Sequence, residues 1–86
     1  MKRQKNISIY VIGIVVLDKN VTVNLQKLLN EFGDIIIGRM GVPRPEVAAI
    51  SLIVEGTTER ISALTGKLGK FEGITCKSAL TNHEIN

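Results

Sequence analysis

The side-chain types best suited to metal binding or nucleophilic catalysis occur once each in this 86-residue sequence, as Cys76 and His83. One cysteine and one histidine cannot complete a tetrahedral or square-planar metal site within one chain, although symmetric pairing could supply two of each. A single histidine close to the end of the sequence also argues against a Ser-His-Asp set. A lone buried cysteine is more often a small core residue. We therefore predict no bound metal and no cofactor, and keep a metal-sensing domain as an alternative.

Neither the glycines nor the carboxylates form a recognisable phosphate-binding or catalytic motif. Gly66-Lys67 resembles the end of a phosphate-binding loop, but Ile61 stands where that motif requires glycine. The pair also falls inside a predicted helix, where Gly66 and Gly69 are better explained by close packing against the sheet or another subunit. The acidic residues are scattered rather than paired, so we predict no catalytic residues and no enzyme: Asp18, Glu31, Asp34, Glu46, Glu55, Glu59, Glu72 and Glu84.

The net charge of +3 belongs to the start of the chain, because Lys2, Arg3 and Lys5 account for all of it. The remaining sequence has equal numbers of basic and acidic residues. Nucleic-acid binding needs basic residues clustered on the domain itself, and the RNA-binding version of such folds needs aromatic residues on its central strands. Tyr10 is the only aromatic residue on a predicted strand. We expect no direct contact with nucleic acid.

The compartment follows from the cysteine count and the first apolar run. A single cysteine cannot form an internal disulfide, which suits a reducing environment. The apolar residues 7–17 are too few to span a bilayer, which takes about 20 residues. No cleavage pattern of small residues follows them. We therefore expect a cytoplasmic protein without a membrane segment.

Hydrophobic periodicity predicts six elements in the order strand, helix, strand, strand, helix, strand. The predicted strands cover residues 7–17, 34–40, 47–55 and 74–80. The first helix covers 22–32 and the second begins at 56–58. Residues 41–45 are predicted to form a loop, since two prolines there oppose regular pairing.

This order is typical of the ferredoxin-like βαββαβ fold of the α+β class, an antiparallel four-stranded sheet with two helices on one face. We expect one domain over residues 7–81, between a disordered basic tail at 1–6 and a C-terminal tail at 82–86. No predicted element covers the second sheet face. We expect this face to form the interface of a homo-oligomer, dimer or tetramer, through Tyr10, Ile12, Ile14, Val16, Ala49 and Ile53.

Four stretches resemble one known family. They read GRMGVP at 38–43, ISLIVEGT at 50–57, ISALTGKLGK at 61–70 and GITCK at 73–77. Together they look like the small bacterial proteins called iron-only hydrogenase system regulators. The spacing between the stretches also matches, and the resemblance covers about residues 7–79.

The resemblance implies a fold similar to ACT domains and to the C-terminal domain of nickel-responsive regulators. It implies a regulatory, oligomeric and non-catalytic role linked to iron-only hydrogenases. ACT-like domains bind ligands where subunits meet, near the first strand–helix loop. On this sequence the candidate ligand-binding residues are then Asp18, Asn20, Arg39, Met40, Gly41 and Pro43.

Arg39 is the most specific of these candidates, since a guanidinium can bind a carboxylate or phosphate with two hydrogen bonds. The alternative is a solvated arginine or an ion pair with Glu46. The leading hypothesis is thus a module that binds a small molecule or a partner regulator protein as an oligomer. The second hypothesis is a structural or adaptor protein that pairs with a larger regulator and binds no ligand.

Overall fold

The computed structural model describes the backbone of residues 7–85, and the side chains of this range apart from Ser78 and residues 80–85. The elements are β1 (Ile7–Val16), α1 (Thr22–Glu31), β2 (Ile36–Pro43), β3 (Ala48–Thr57), α2 (Thr58–Gly69) and β4 (Ile74–Ile85), with a short 3-10 turn at Lys19–Val21. The strands pair antiparallel in the order β2-β3-β1-β4. The predicted ferredoxin-like βαββαβ fold is confirmed.

Side-chain caps start the 3-10 turn that leads into α1 and start α2, whereas α1 itself begins after Val21 without one. The carboxylate of Asp18 accepts a hydrogen bond of 2.9 Å from the backbone N–H of Asn20 at the 3-10 turn that leads into α1. At α2, the hydroxyl of Thr57 accepts from the N–H of Arg60 at 3.3 Å, and Glu59 places a negative charge in the first turn. Each helix buries one stripe at helical spacing against the sheet: Leu25, Leu28 and Leu29 in α1, and Ile61, Leu64 and Leu68 in α2.

The core lies between the two helices and one face of the sheet. The register pairs Ile12 with Leu52 and Ile14 with Ile50, so these side chains share that face. Phe32 and Ile35 close the core beside α1. The covered face of the sheet is defined by the buried residues of β1 and β3: Ile12, Ile14, Val16, Ile50, Leu52 and Val54.

The expected orientation of β1 is wrong. Ile12, Ile14 and Val16, predicted at an oligomer interface, are at most 1% exposed and belong to the core. Tyr10, on the same side of β1, is half-buried and packs against that core. Both faces of β1 are apolar, so alternation alone does not determine which of them the helices cover; the pairing with β3 does.

Two strands run further than predicted. β2 continues through Pro43, which pairs with Ala48, because β2 is an edge strand and a proline at its end leaves no ladder bond unmade. β4 extends to Ile85 and so takes in residues 82–85 of the expected C-terminal tail. The tail predicted at residues 1–6 lies outside the described residues.

Glycine is required where β4 meets β1. Gly73 has a φ of +89°, and its carbonyl accepts hydrogen bonds from the N–H groups of Leu17 and Asp18 at 2.8 and 3.1 Å. By contrast, a side chain on Gly66 or Gly69 would meet nothing within 4 Å. The predicted close packing of α2 glycines against the sheet is therefore wrong. In the described part of the chain, neither helix has the length and apolar character needed to cross a membrane.

Candidate functional site

The loop between β1 and α1 is held to the connection between β2 and β3. Lys19, which the sequence analysis did not select, donates from Nζ to the backbone carbonyl of Arg44 and, at 3.3 Å, to that of Pro45. Asp18 and Asn20 are joined to each other by the cap of the 3-10 turn. Two regions predicted to contribute to one site are thus adjacent, and a lysine between the two candidates joins them.

The candidates on β2 do not form one cluster, because alternate residues of a strand point to opposite faces. Arg39 pairs with Leu52 and faces the helices, whereas Met40 pairs with Ser51 and lies on the other side, 64% exposed. Gly41 pairs with Ile50 in the row after Met40, and Pro43 lies at the end of the strand. The structure therefore separates Arg39 from Met40.

Arg39 lies at a small depression between β2 and the end of α1. Its Nη2 donates to Oε1 of Gln26, on the polar side of α1. The depression has a volume of about 280 Å³ and is lined by Gly33, Ile36, Ile37, Gly38 and Arg39. It therefore combines one guanidinium with mostly apolar walls, and we call it the Arg39 depression.

A local irregularity in pairing shapes this depression. The register between β2 and β3 shifts between Ile36 and Gly38, and Ile37 at the shift is left 59% exposed. The predicted alternative partner of Arg39, Glu46, does not bind it. Among the described side chains the ion pairs are Arg60–Asp34 and Lys67–Glu31.

The face of the sheet away from the helices is largely apolar, and no described element covers it. We call it the uncovered sheet face. Ala49 and Ile53, expected at the oligomer interface, lie on it. It contains a second depression of about 270 Å³, lined partly by Gly13, Val15, Met40 and Ser51. By register and alternation its central residues are Val11, Gly13, Val15, Gly38, Met40, Val42, Ala49, Ser51, Ile53, Thr75, Lys77 and Ala79.

Arg60 is a second arginine near the end of α1, but its side chain already binds groups within the chain. Nε and Nη2 bind the two carboxylate oxygens of Asp34 at 3.1 and 2.9 Å, and Nη2 also donates to the carbonyl of Glu31 at 2.9 Å. Its guanidinium lies 4.3 Å from the centre of the Phe32 ring. The hydrogen bond from Arg60 lowers the pKa of Asp34 below its usual range. This cluster joins the end of α1 to α2 and is structural.

Cys76 is half-buried on β4, opposite Ile14. Burial raises the pKa of its thiol and so disfavours the thiolate that a nucleophile or metal ligand requires. Among the described side chains, no three histidine, cysteine, aspartate or glutamate residues lie close enough together to hold a metal. The side chain of His83 lies outside the described ones.

Comparison with known proteins gives one family. The family described as "TM1266-like: Iron-only hydrogenase system regulator, putative" matches residues 8–78, in agreement with the resemblance found in the sequence. No curated protein matches the chain.

Solved structures extend the comparison. The uncharacterized protein TM1266 from Thermotoga maritima is similar at a TM-score of 0.81 and 29% identity, over 88% of this chain and 99% of that one. The ACT domain from GTP pyrophosphokinase of Chlorobium tepidum gives a TM-score of 0.69 at 23% identity, over 93% of each chain. CPII, a nitrogen regulatory PII-like protein from Thiomonas intermedia K12 bound to ADP, AMP and bicarbonate, gives 0.50 at 14% identity, over 92% of this chain and 100% of that one. The last two show likeness of fold alone.

Proposed function

Because the chain belongs to the TM1266-like family, described as regulators of the iron-only hydrogenase system, we propose that it is a non-catalytic regulatory module that works as a homo-oligomer and binds a small anion beside Arg39. The proposal of a bound anion rests on the Arg39 depression, in which a guanidinium borders an apolar hollow. The uncovered sheet face supports the oligomer.

The hydrogen bond from Gln26 supports a binding role for Arg39. A guanidinium has five N–H donors, and the bond to Oε1 of Gln26 uses one N–H of Nη2 while restraining the orientation of the group. The remaining donors are free to bind an oxyanion with two hydrogen bonds. Restraining the arginine before the ligand arrives reduces the entropy lost on binding.

The charges around the depression favour an anion. Asp34, which follows the depression residue Gly33 in the sequence, is the nearest acidic residue along the chain to those that line it. Arg60 binds both carboxylate oxygens of Asp34. Arg39 therefore keeps its positive charge available.

The size of the depression limits the ligand. Drug-sized ligands occupy pockets of about 300–1,000 Å³, and this hollow of about 280 Å³ is smaller. Its walls include the hydrophobic side chains of Ile36 and Ile37. The best fit is a small molecule with one carboxylate or other singly charged group and a short apolar part.

Thermal unfolding across a panel of small carboxylates and phosphates tests this proposal. A compound at ten times its Kd is expected to raise the Tm of the wild-type protein by roughly 5 °C or more. Arg39→Ala is expected to abolish that rise. Arg44→Ala is the matched control, because it removes the same charge from an exposed position outside the depression and should keep the rise.

Two outcomes would overturn the anion site: a rise in Tm that survives Arg39→Ala, or no response to any compound in the panel. In the second case the adaptor role becomes the better proposal. The exposed apolar side chains of the uncovered sheet face support that alternative, since such patches mark interaction surfaces. Recovery of one stoichiometric partner protein from the native host, with an empty ligand screen, would favour it.

A further inference from the structure

Two opposite charges lie on the uncovered sheet face in a symmetric position. Among its described residues, Lys77 on β4 and Glu55 on β3 are the charged ones. Lys77 pairs across the ladder with Gly13, and Glu55 pairs with Ile9. Val11 lies on β1, the strand between β3 and β4, and midway along it between Ile9 and Gly13. It therefore marks the midpoint of the line that joins the two charges.

We propose that the uncovered sheet face binds the same face of a second copy, about a two-fold axis that passes over Val11. This inference rests on the homo-oligomer of the proposed function and adds the face, the partner and the register. With strands about 4.8 Å apart and a rise of about 3.4 Å per residue, Lys77 and Glu55 are separated by roughly 17 Å. A two-fold axis that runs parallel to the sheet and perpendicular to this line exchanges the positions of Lys77 and Glu55 and turns the two faces toward each other. Each Lys77 then faces Glu55 of the other copy, and two identical ion pairs form.

The same rotation also makes the shapes of the two faces complementary, because a protruding side chain of one copy meets a depression of the other. If the sheet is treated as flat, the rotation brings Ile53 of the second copy over the space between Gly13 and Ser51. The depression of about 270 Å³ lies there. Ile53 is 42% exposed and provides the protruding side chain. Gly13 provides the space, because nothing lies within 4 Å of the position its Cβ would take. The strands of the two copies then cross at about 70°, near the orthogonal class of sheet packing.

A second copy suits this face better than other occupants. Opposite charges at equivalent positions on one face are satisfied by an isologous contact, in which one surface meets itself. Residues 2–6 are polar or basic, with Lys2, Arg3 and Lys5 among them, and so are poorly suited to cover an apolar face. The four strands give a plane of roughly 450 Å² per copy, which places the pair at the low end of specific interfaces. We therefore expect a dimer that dissociates on dilution.

Light scattering over a range of protein concentrations measures the dimer affinity and tests whether Ile53 of one copy fills the depression beside Gly13 of the other. The wild-type protein is expected to form a dimer, and Gly13→Val is expected to weaken it at least about tenfold by filling the space that receives Ile53. The fold should not suffer, because the added side chain points into open space. Gly66→Val is the matched control: it makes the same substitution in open space on α2, away from the uncovered sheet face, and should leave the dimer intact.

Charge reversal tests the register. Lys77→Glu alone and Glu55→Lys alone should each weaken the dimer by about tenfold, since each places like charges opposite one another twice. The double variant should restore the wild-type affinity. Circular dichroism and urea unfolding of each variant check that the monomer remains folded.

The outcomes separate this inference from the proposed function. A wild-type protein that is monomeric at all concentrations would overturn both the oligomer and this interface. A wild-type oligomer that Gly13→Val leaves unchanged would overturn the interface and leave the oligomer standing. A double charge variant no better than the single ones would overturn the two-fold register over Val11.

Discussion

Neighbouring residues on one strand show how differently the two faces of the sheet are used. On β3, Leu52 and Val54 are fully buried beneath the helices, while Ile53 between them keeps 42% of its surface exposed. On β1, Ile12 is fully buried and the adjacent Val11 is 40% exposed. All of these side chains are aliphatic, whichever face they lie on. What differs is that α1 and α2 cover one of the two faces.

The difference separates the part of the molecule that determines the fold from the part left for association. The covered face is close-packed with large aliphatic side chains, which supply most of the hydrophobic stabilisation. The uncovered sheet face mixes valine and isoleucine with small residues such as Gly13, Ala49 and Ser51, so it is uneven and keeps a depression. Substitutions there are expected to change association more than folding.

The strongest test of this contrast compares alanine substitutions at two adjacent residues of β3. Leu52→Ala removes a side chain that is fully buried and should lower the free energy of unfolding by about 2–5 kcal/mol. Ile53→Ala removes a partly exposed one and should cost the isolated monomer less than about 1.5 kcal/mol, because solvent already reaches the side chain. Urea unfolding at a concentration below dimer formation measures both values.

Similar losses for the two variants would contradict the contrast. They would mean that the side chain of Ile53 is buried in the monomer as Leu52 is. Unfolding repeated at high protein concentration adds a second comparison. There Ile53→Ala should become more destabilising, since a buried interface adds to the apparent stability.

The order of elements could be predicted from the sequence because each helix carries one clear stripe and each turn has its own signal. Leu25, Leu28 and Leu29 recur at helical spacing, and Thr57 supplies a recognisable cap. The orientation of β1 could not be predicted in this way. Its two faces are equally apolar, and the choice depends on pairing with β3, a contact between residues far apart in the chain.

The candidate site was predicted only in part, for a similar reason. Arg39 was recognised by its side-chain type, but its partner Gln26 is one of several polar residues on α1, and no spacing shows which of them faces β2. Met40 was grouped with Arg39 because they are adjacent in the sequence, although the strand sends them to opposite faces. Lys19 has no sequence signal for its bonds, since its acceptors are backbone carbonyls of residues 44 and 45.

Alanine substitutions at Gly73 and Gly13 extend the comparison of the two faces, with a smaller expected change in stability. Gly73 packs against the β1–α1 loop, where an added Cβ would lie 3.1 Å from Cγ1 of Val21 and 3.2 Å from Cβ of Asp18. With its φ of +89°, Gly73→Ala should cost about 1–3 kcal/mol. Gly13→Ala, on the uncovered sheet face, should be neutral or slightly stabilising in the monomer, because alanine loses less conformational entropy in a strand. Thermal unfolding compares the Tm of the two variants. A lower Tm of the Gly13→Ala monomer would contradict the open space at the Cβ position of Gly13.

The smallest effect concerns Asp34 and Arg60, two charged side chains on the helix side that pair with each other. Because Arg60 lowers the pKa of Asp34 in the folded state, the unfolded chain binds the proton more readily. The stabilisation is therefore fully present above the unfolded pKa of about 3.9 and is lost as the pH falls through the lower folded value. Asp34→Asn should remove this dependence, so the difference in stability between it and the wild type should shrink as the pH falls below about 4.

Urea unfolding at a series of pH values measures that difference. Arg60→Lys provides the conservative comparison, since it keeps the positive charge but cannot form the forked bond to both carboxylate oxygens. It should show a weaker dependence on acid than the wild type. A difference between Asp34→Asn and wild type that stays constant from neutral pH down to about 3 would mean that the carboxylate charge does not stabilise the fold through Arg60. The joint between α1 and α2 would then depend on the other contacts of Arg60, with the Phe32 ring and the carbonyl of Glu31, which acid leaves intact.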